Sequence, residues 1–285
     1  MICENDILCF TVSGITEPLK IKEYLIKHLG FSTALIARVK YEGVFQNGTA
    51  VHMRSLVQNG DKITVHMPKE SGSEIMPLDI PLEILFEDKD ILAVNKPVGM
   101  PTHPARGNKL PTLAAAVMNY LGEGAVFRAV SRLDKDTSGI VLIAKNAYSA
   151  AVLGRAMKNG EIIKEYTAYV EGIPDKHGII EAPIERVCEG DIHRCVREDG
   201  KYAKTEYELL KITDSGNSVI SLRLHTGRTH QIRVHMAYIG HPLVNDELYS
   251  SKMSTERYLL HCHKLEFDFV GKGHIVISSP PSTGE

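Results

Sequence analysis

Apolar side chains at Ile21, Leu25, Ile26 and Leu29 repeat at helical spacing and stop at Gly30, which predicts a first helix. Ser32 is placed to cap a second, with Ala34, Leu35 and Val39 on its apolar face. The period then shortens. Gly43-Val44-Phe45, the turn dipeptide Asn47-Gly48 and a short strand entered at Gly60-Asp61-Lys62 predict a small sheet. Further on, Ile84-Leu85-Phe86 and Ile91-Leu92-Ala93-Val94 flank an acidic turn, as in a hairpin. Residues 110–121 have helical spacing. Residues 140–144 are apolar throughout, as in a strand covered on both faces, and Asn146 can cap a helix that Asn159-Gly160 closes. Residues 166–170 alternate as a strand does, with Tyr166, Ala168 and Val170 on one face. Residues 219–224 predict another strand. It leads into a helix expected over 229–239, with Thr229 as its N-cap and Gly240 at its end.

These elements fall into two groups. Pro68-Lys69-Glu70-Ser71-Gly72-Ser73-Glu74 is polar and without period, which predicts a small module over 1–70, a linker over 71–80 and a larger domain over 81–285. A chain of 285 residues has room for both. Strands grouped with helices, without strict alternation, give an α+β class rather than a doubly wound sheet.

Composition narrows the biology. Charged residues make up 24% and hydrophobic ones 43%, the balance of a folded globular chain and not of a disordered one. There is no apolar run of membrane-spanning length and no basic-then-apolar leader, so neither a membrane nor a secretory route is expected. Five cysteines without a CxxC pair fit free thiols in a reducing cytoplasm. The net charge of −2 means that binding to a polyanion must come from a local patch. One such patch exists. Residues 215–245 contain no Asp or Glu, while Arg223, Arg228 and Arg233 alternate with His225, His230 and His235.

Three segments could carry chemistry. Residues 131–139, Ser-Arg-Leu-Asp-Lys-Asp-Thr-Ser-Gly, form a polar loop feeding the apolar strand, which would hold Asp134 and Asp136 at a sheet edge. The plain alternative is an Asx-turn. A calcium loop fails, because Lys145 stands where a bidentate Glu is required. Residues 224–235 place arginines at a strand end and a helix start, suited to phosphate or carboxylate; a solvated basic face is the alternative. In Lys164-Glu165-Tyr166, the tyrosine points inward and could be core alone. His261-Cys262-His263 and Cys188 with Cys195 do not complete four zinc ligands, so no metal is expected, and no nucleotide fingerprint appears.

Taken together the segments resemble the RluA-type family of RNA pseudouridine synthases. Arg132-Leu133-Asp134-x-x-Thr137-Ser138-Gly139 is similar to the family's catalytic loop and Lys164-x-Tyr166 to its tyrosine strand. The run from Thr226 to Arg233, then His235 and Gly240-His241-Pro242, is similar to its arginine segment. Asp90 and Asn95-Lys96-Pro97-x-Gly99-Met100-Pro101-x-His103 resemble its opening motif, and His261, Leu265 and Phe267 its closing strand. Residues 1–70 are more loosely similar to the small RNA-binding domain of ribosomal small-subunit protein four. Ser131 departs from the family, which commonly has His there. The chain also stops shortly after Pro280-Pro281, where relatives often continue into a short helix.

The resemblance implies a mixed, mostly antiparallel central sheet with flanking helices and a catalytic cleft. It implies isomerisation of uridine in ribosomal or transfer RNA, without cofactor, by a cytoplasmic and monomeric enzyme. Asp134 would be nucleophile or base, Arg233 would pair with it and keep it charged, and Tyr166 would pack on the base and help remove the carbon-five proton. Arg132, Arg223, Arg228, His230 and Gln231 would hold RNA. The competing class is a non-catalytic RNA-binding or ribosome-associated protein that keeps the fold. It would be expected to lose Asp134, Tyr166 or Arg233, and all three are present. A metal-dependent phosphotransferase is a weaker third.

Overall fold

The computed structural model describes residues 2–4, 7–67, 72, 75–104, 111–250 and 257–280. In the first part of the chain lie β1 (Ile2–Glu4), β2 (Ile7–Thr11), β3 (Leu19–Lys20), α1 (Ile21–Lys27) and α2 (Thr33–Glu42). They are followed by β4 (Val44–Gln46), β5 (Thr49–Ala50), β6 (Leu56–Val57) and β7 (Lys62–His66). The expected caps are in place. Ser32 Oγ accepts the Leu35 amide at 3.1 Å, and Asn47 and Gly48, both at positive φ, turn β4 into β5. The strands form a five-stranded sheet in the order β1-β2-β7-β4-β5, with a separate β3-β6 pair.

The second part contains β8 (Glu83–Glu87), β9 (Ile91–Lys96), α3 (Leu113–Leu121), β10 (Ser138–Ala144), α4 (Ala147–Asn159) and β11 (Ile163–Val170). Next come β12 (His177–Glu181), β13 (Ile184–Arg186), β14 (Arg194–Val196), β15 (Lys204–Ile212) and β16 (Ser218–Leu224). The last elements are α5 (Gln231–Tyr238), β17 (Leu260–Phe269) and β18 (Gly273–Ser278). The main sheet runs β12-β15-β16-β11-β17-β10-β9-β8, with β18 on the outer part of β17. Only the β10–β17 pairing in it is parallel, so the sheet is mixed and mostly antiparallel, as expected of the α+β class. Residues 140–144 are fully buried at the centre, which accounts for their unbroken apolar run. Among the described residues no helix is long and apolar enough to cross a membrane.

Two boundaries differ from expectation. The helix foreseen over 110–121 begins at Leu113, because Thr112 caps it by accepting the Ala115 amide at 3.2 Å; Leu110 lies outside the described residues. The helix foreseen from Thr229 begins at Gln231, because His230 takes a left-handed φ of 57° that no helical residue can share. Most of the polar run 68–74, where the linker was placed, and residues 281–285 lie outside the described residues.

The two groups of elements meet at α4. Tyr148 is fully buried there, its hydroxyl donating to the Leu29 carbonyl at 2.9 Å, its ring 5.8 Å from Phe10 and 5.0 Å from Phe31. Arg155 donates to the Ile26 carbonyl at 3.2 Å. Deleting residues 1–70 would therefore uncover an aromatic ring that is now core. We expect the remaining domain to fold, since its sheet is complete without them, but with a lower midpoint of thermal unfolding by circular dichroism. An unchanged midpoint would show that the Tyr148 contact contributes nothing to the larger domain.

Candidate active site

The loop carrying Asp134 is tied down at the backbone, while its carboxylate takes no hydrogen bond from the described residues. Ser131 Oγ accepts the Leu142 amide at 3.0 Å, so the residue departing from the family pattern anchors the loop against β10. Thr102 Oγ1 donates to the Leu133 carbonyl at 2.8 Å. The buried Lys96 donates to the carbonyls of Pro97, Met100 and Lys135 at 2.9, 2.8 and 3.1 Å. Burial brings the Lys96 ammonium down to about 8, against the pull of Asp136 and Asp134. No described residue donates a hydrogen bond to the Asp134 carboxylate, so it closes no Asx-turn. Its one described ion-pair neighbour is His230, Nε2 to Oδ2 at 4.0 Å.

Gly139 fixes where this loop meets the sheet. Its φ is +110°, and a Cβ there would lie 2.3 Å from the Cys262 carbonyl oxygen. Only glycine permits that approach. Across three strands Gly139, Cys262 and Tyr166 share one register, so Asp134 and Tyr166 are brought together from residues far apart in the chain. Tyr166 is 5% exposed, and its hydroxyl is pushed well up by burial, then by Cys262 and the Asp134 charge; it is a phenol at neutral pH. Burial likewise pushes the Cys262 thiol up to about 12. Lys164, two residues before Tyr166, also lines the cleft, and burial lowers its ammonium.

The arginine segment is shaped by Gln231. Its Oε1 accepts from Thr226 Oγ1 at 2.8 Å and from the Arg228 amide at 2.9 Å. Its Nε2 donates to the Lys204 carbonyl and Thr205 Oγ1 at 3.0 and 2.9 Å. Both ends of the amide are spent within the protein. Gln231 therefore holds the loop together, its amide engaged within the protein where it lines the cleft.

Arg233 corrects the expected pairing with Asp134. Its Nε and Nη2 donate to the two oxygens of Asp246, each at 2.7 Å, with both residues buried. The guanidinium lies 4.9 Å from the centre of the Tyr249 ring and 4.6 Å from that of Tyr258. Burial is the largest single influence and would lower its pKa, but the bond to Asp246 and the pull of Tyr258, Asp246 and Asp134 together outweigh it, and the pKa rises. Nothing local in the sequence marks Asp246, which lies just past the arginine segment as the first acid after the acid-free stretch.

Arg223 is a second correction. In the sheet it stands opposite Glu165 and Glu206, while Tyr166 pairs with Leu222. Alternation thus puts Arg223 on the face away from the cleft. Arg132, Arg228 and His230 do line the cleft, with Lys158 and Lys164. The cleft has a volume of about 640 Å³, and Asp134 is the only carboxylate among its lining residues. Such a space admits a single nucleotide, and its cations suit a polyanion. Among the described residues no group of three or more His, Cys, Asp and Glu could hold a metal ion.

Residues 90–238 match the sequence profile of the family described as RNA pseudouridylate synthase. The chain is 37% identical over 257 residues to the uncharacterized RNA pseudouridine synthase YjbO of Bacillus subtilis, covering 87% of this chain and 90% of that one. It is 39% identical over 210 residues to the ribosomal large subunit pseudouridine synthase D of Yersinia pestis, covering 72% of this chain and 64% of that one. The solved structure of human RNA pseudouridylate synthase domain containing 1 superposes with a TM-score of 0.61 at 28% identity, covering 70% of this chain and 83% of that one.

Proposed function

This chain belongs to the RNA pseudouridylate synthase family and is an RNA-modifying isomerase, and from that premise we propose that Asp134 opens the reaction on a uridine extruded into the cleft. The observation that carries this reading is a carboxylate held on a tied loop, the only acid lining a cleft of cations and without a donor among the described residues. The bond from the ring nitrogen to the ribose breaks with Asp134 acting as nucleophile or base. The uracil turns, carbon five bonds to the ribose, and its hydrogen leaves as a proton. Arg132, Arg228, Lys158 and Lys164 hold the flanking phosphates, and extruding the base exposes it to the cleft floor. Arg233, bound to Asp246, acts on Asp134 through its field rather than by a direct bond.

The targets are uridines of ribosomal or transfer RNA. Large-subunit ribosomal RNA is tried first, since the name of one relative specifies it. Release of tritium from transcripts labelled at uridine carbon five tests the reading. Enzyme-dependent release from at least one is expected, and none from any of them would overturn it.

Tyr166 forms the floor under the base. As a neutral phenol it can take the carbon-five proton only by passing its own hydroxyl proton in the same step to an acceptor. Asp134, the carboxylate lining the same cleft, is at hand for that once it has left the ribose. Tyr166→Phe keeps the ring and removes that route. Tritium release is expected to fall by about 10²-fold or more while RNA binding is kept. Undiminished release would restrict Tyr166 to packing.

A further inference from the structure

The Arg233–Asp246 bond leaves open what orients the Asp134 carboxylate. The residue facing it is His230, a largely buried imidazole with two different neighbours. On one side, Nδ1 lies 2.7 Å from the Tyr249 hydroxyl. On the other, Nε2 faces Asp134 Oδ2 at 4.0 Å.

The hydroxyl decides the tautomer. Tyr249 Oη already accepts the Arg194 amide at 3.0 Å, and among the described residues the only acceptor within its reach is His230 Nδ1. With its proton directed at Nδ1, the hydroxyl makes that nitrogen the acceptor and leaves it unprotonated, the tautomer assigned to the ring. In a neutral ring the proton then sits on Nε2, facing the carboxylate. The other charged groups acting on the ring are Arg233, Arg194 and Asp246. Burial lowers the imidazole pKa, and the two arginines add to this against the pull of Asp134 and Asp246, so the neutral form prevails near pH 7.

The backbone at His230 is also unusual. His230 takes a left-handed φ of 57°, a conformation side-chain-bearing residues disfavour, and makes no side-chain cap to the helix that follows. What the conformation achieves is a ring held between Tyr249 and Asp134. At 4.0 Å the two groups face each other without a hydrogen bond, and such contacts often tighten once substrate is bound.

We propose that His230 is the positioning residue for Asp134, a neutral imidazole locked by Tyr249 to present its Nε2 proton to the carboxylate. This rests on Asp134 being the reacting group. His230 acts through that carboxylate and not on the RNA phosphates.

Two substitutions separate this role from a backbone role. Asn tolerates the left-handed conformation but places its amide near the Nδ1 position, whereas Gln is poorer for the backbone yet carries its amide to the Nε2 position. For positioning, His230→Gln should keep more turnover than His230→Asn, with the Asn variant down about 10²-fold in kcat and KM for RNA little changed. Tyr249→Phe, which unlocks the ring without removing it, should lower kcat about 10-fold, also at nearly constant KM. Nitrogen NMR of the histidine-labelled protein should show a protonated Nε2 and a bare Nδ1 at His230. An Nδ1-protonated ring, Asn ranking ahead of Gln, or losses confined to KM would overturn the proposal. The nitrogen spectrum is independent of the role of Asp134, so retained turnover by Asp134→Asn would sink the underlying assignment and leave the tautomer measured.

Discussion

Replacing Asp134 by Asn is expected to cut turnover by about 10⁴-fold, the scale seen when an essential nucleophile is removed. Asn keeps the size and turn-forming ability of Asp but loses the charge and the attacking oxygen. No described residue donates a hydrogen bond to the carboxylate, so the loop should persist in the variant. RNA binding should change little, because Arg132, Arg228, Lys158 and Lys164 are untouched. Asp136→Asn is the internal control. Asp136 lies two residues along, 3.6 Å from Arg257 and outside the set of residues lining the Asp134 cleft. Tritium release beside filter binding decides the matter. Substantial turnover by the Asp134 variant, or equal losses at both positions, would remove Asp134 from the mechanism.

Asp246→Ala should have the largest effect on stability. Asp246 is fully buried and Arg233 nearly so, and removing one partner strands a guanidinium in the core. Breaking a buried pair in this way costs about 3–5 kcal/mol. Denaturant unfolding should record that loss, and turnover should fall with it, because the freed Arg233 has Asp134 as its remaining carboxylate neighbour. The paired variant Arg233→Met/Asp246→Leu should recover most of the stability without recovering turnover. A loss below about 1 kcal/mol in the single variant would show the pair to be no more than a surface-like contact.

Much of the fold was legible because local chemistry decides it. Ser32 and Asn146 cap the helices they were expected to cap, Gly160 closes α4 in a left-handed conformation, and Asn47-Gly48 makes the foreseen hairpin. Each of these is settled within a few residues, by one side-chain oxygen or one backbone angle. The α+β class followed for the same reason, since apolar period identifies an element without its neighbours. The start of α5 was misplaced where a non-local demand overrode the local one. Thr229 is a good cap by residue type, but His230 takes a left-handed backbone and its ring lies between Tyr249 and Asp134.

The sequence by itself determined the residue types of the site, an aspartate loop, an inward tyrosine and an acid-free arginine segment. Tertiary structure decided their partners. Strand pairing turned Arg223 away from the cleft, because its neighbours in the sheet, and not its place in a basic run, set the face it shows. The end of α5 and the turn after it brought Asp246 under Arg233, so that Arg233 bonds Asp246 and not Asp134. Charge along a chain shows that opposite groups are available. Which two meet depends on desolvation and reach, and those exist only once the chain has folded.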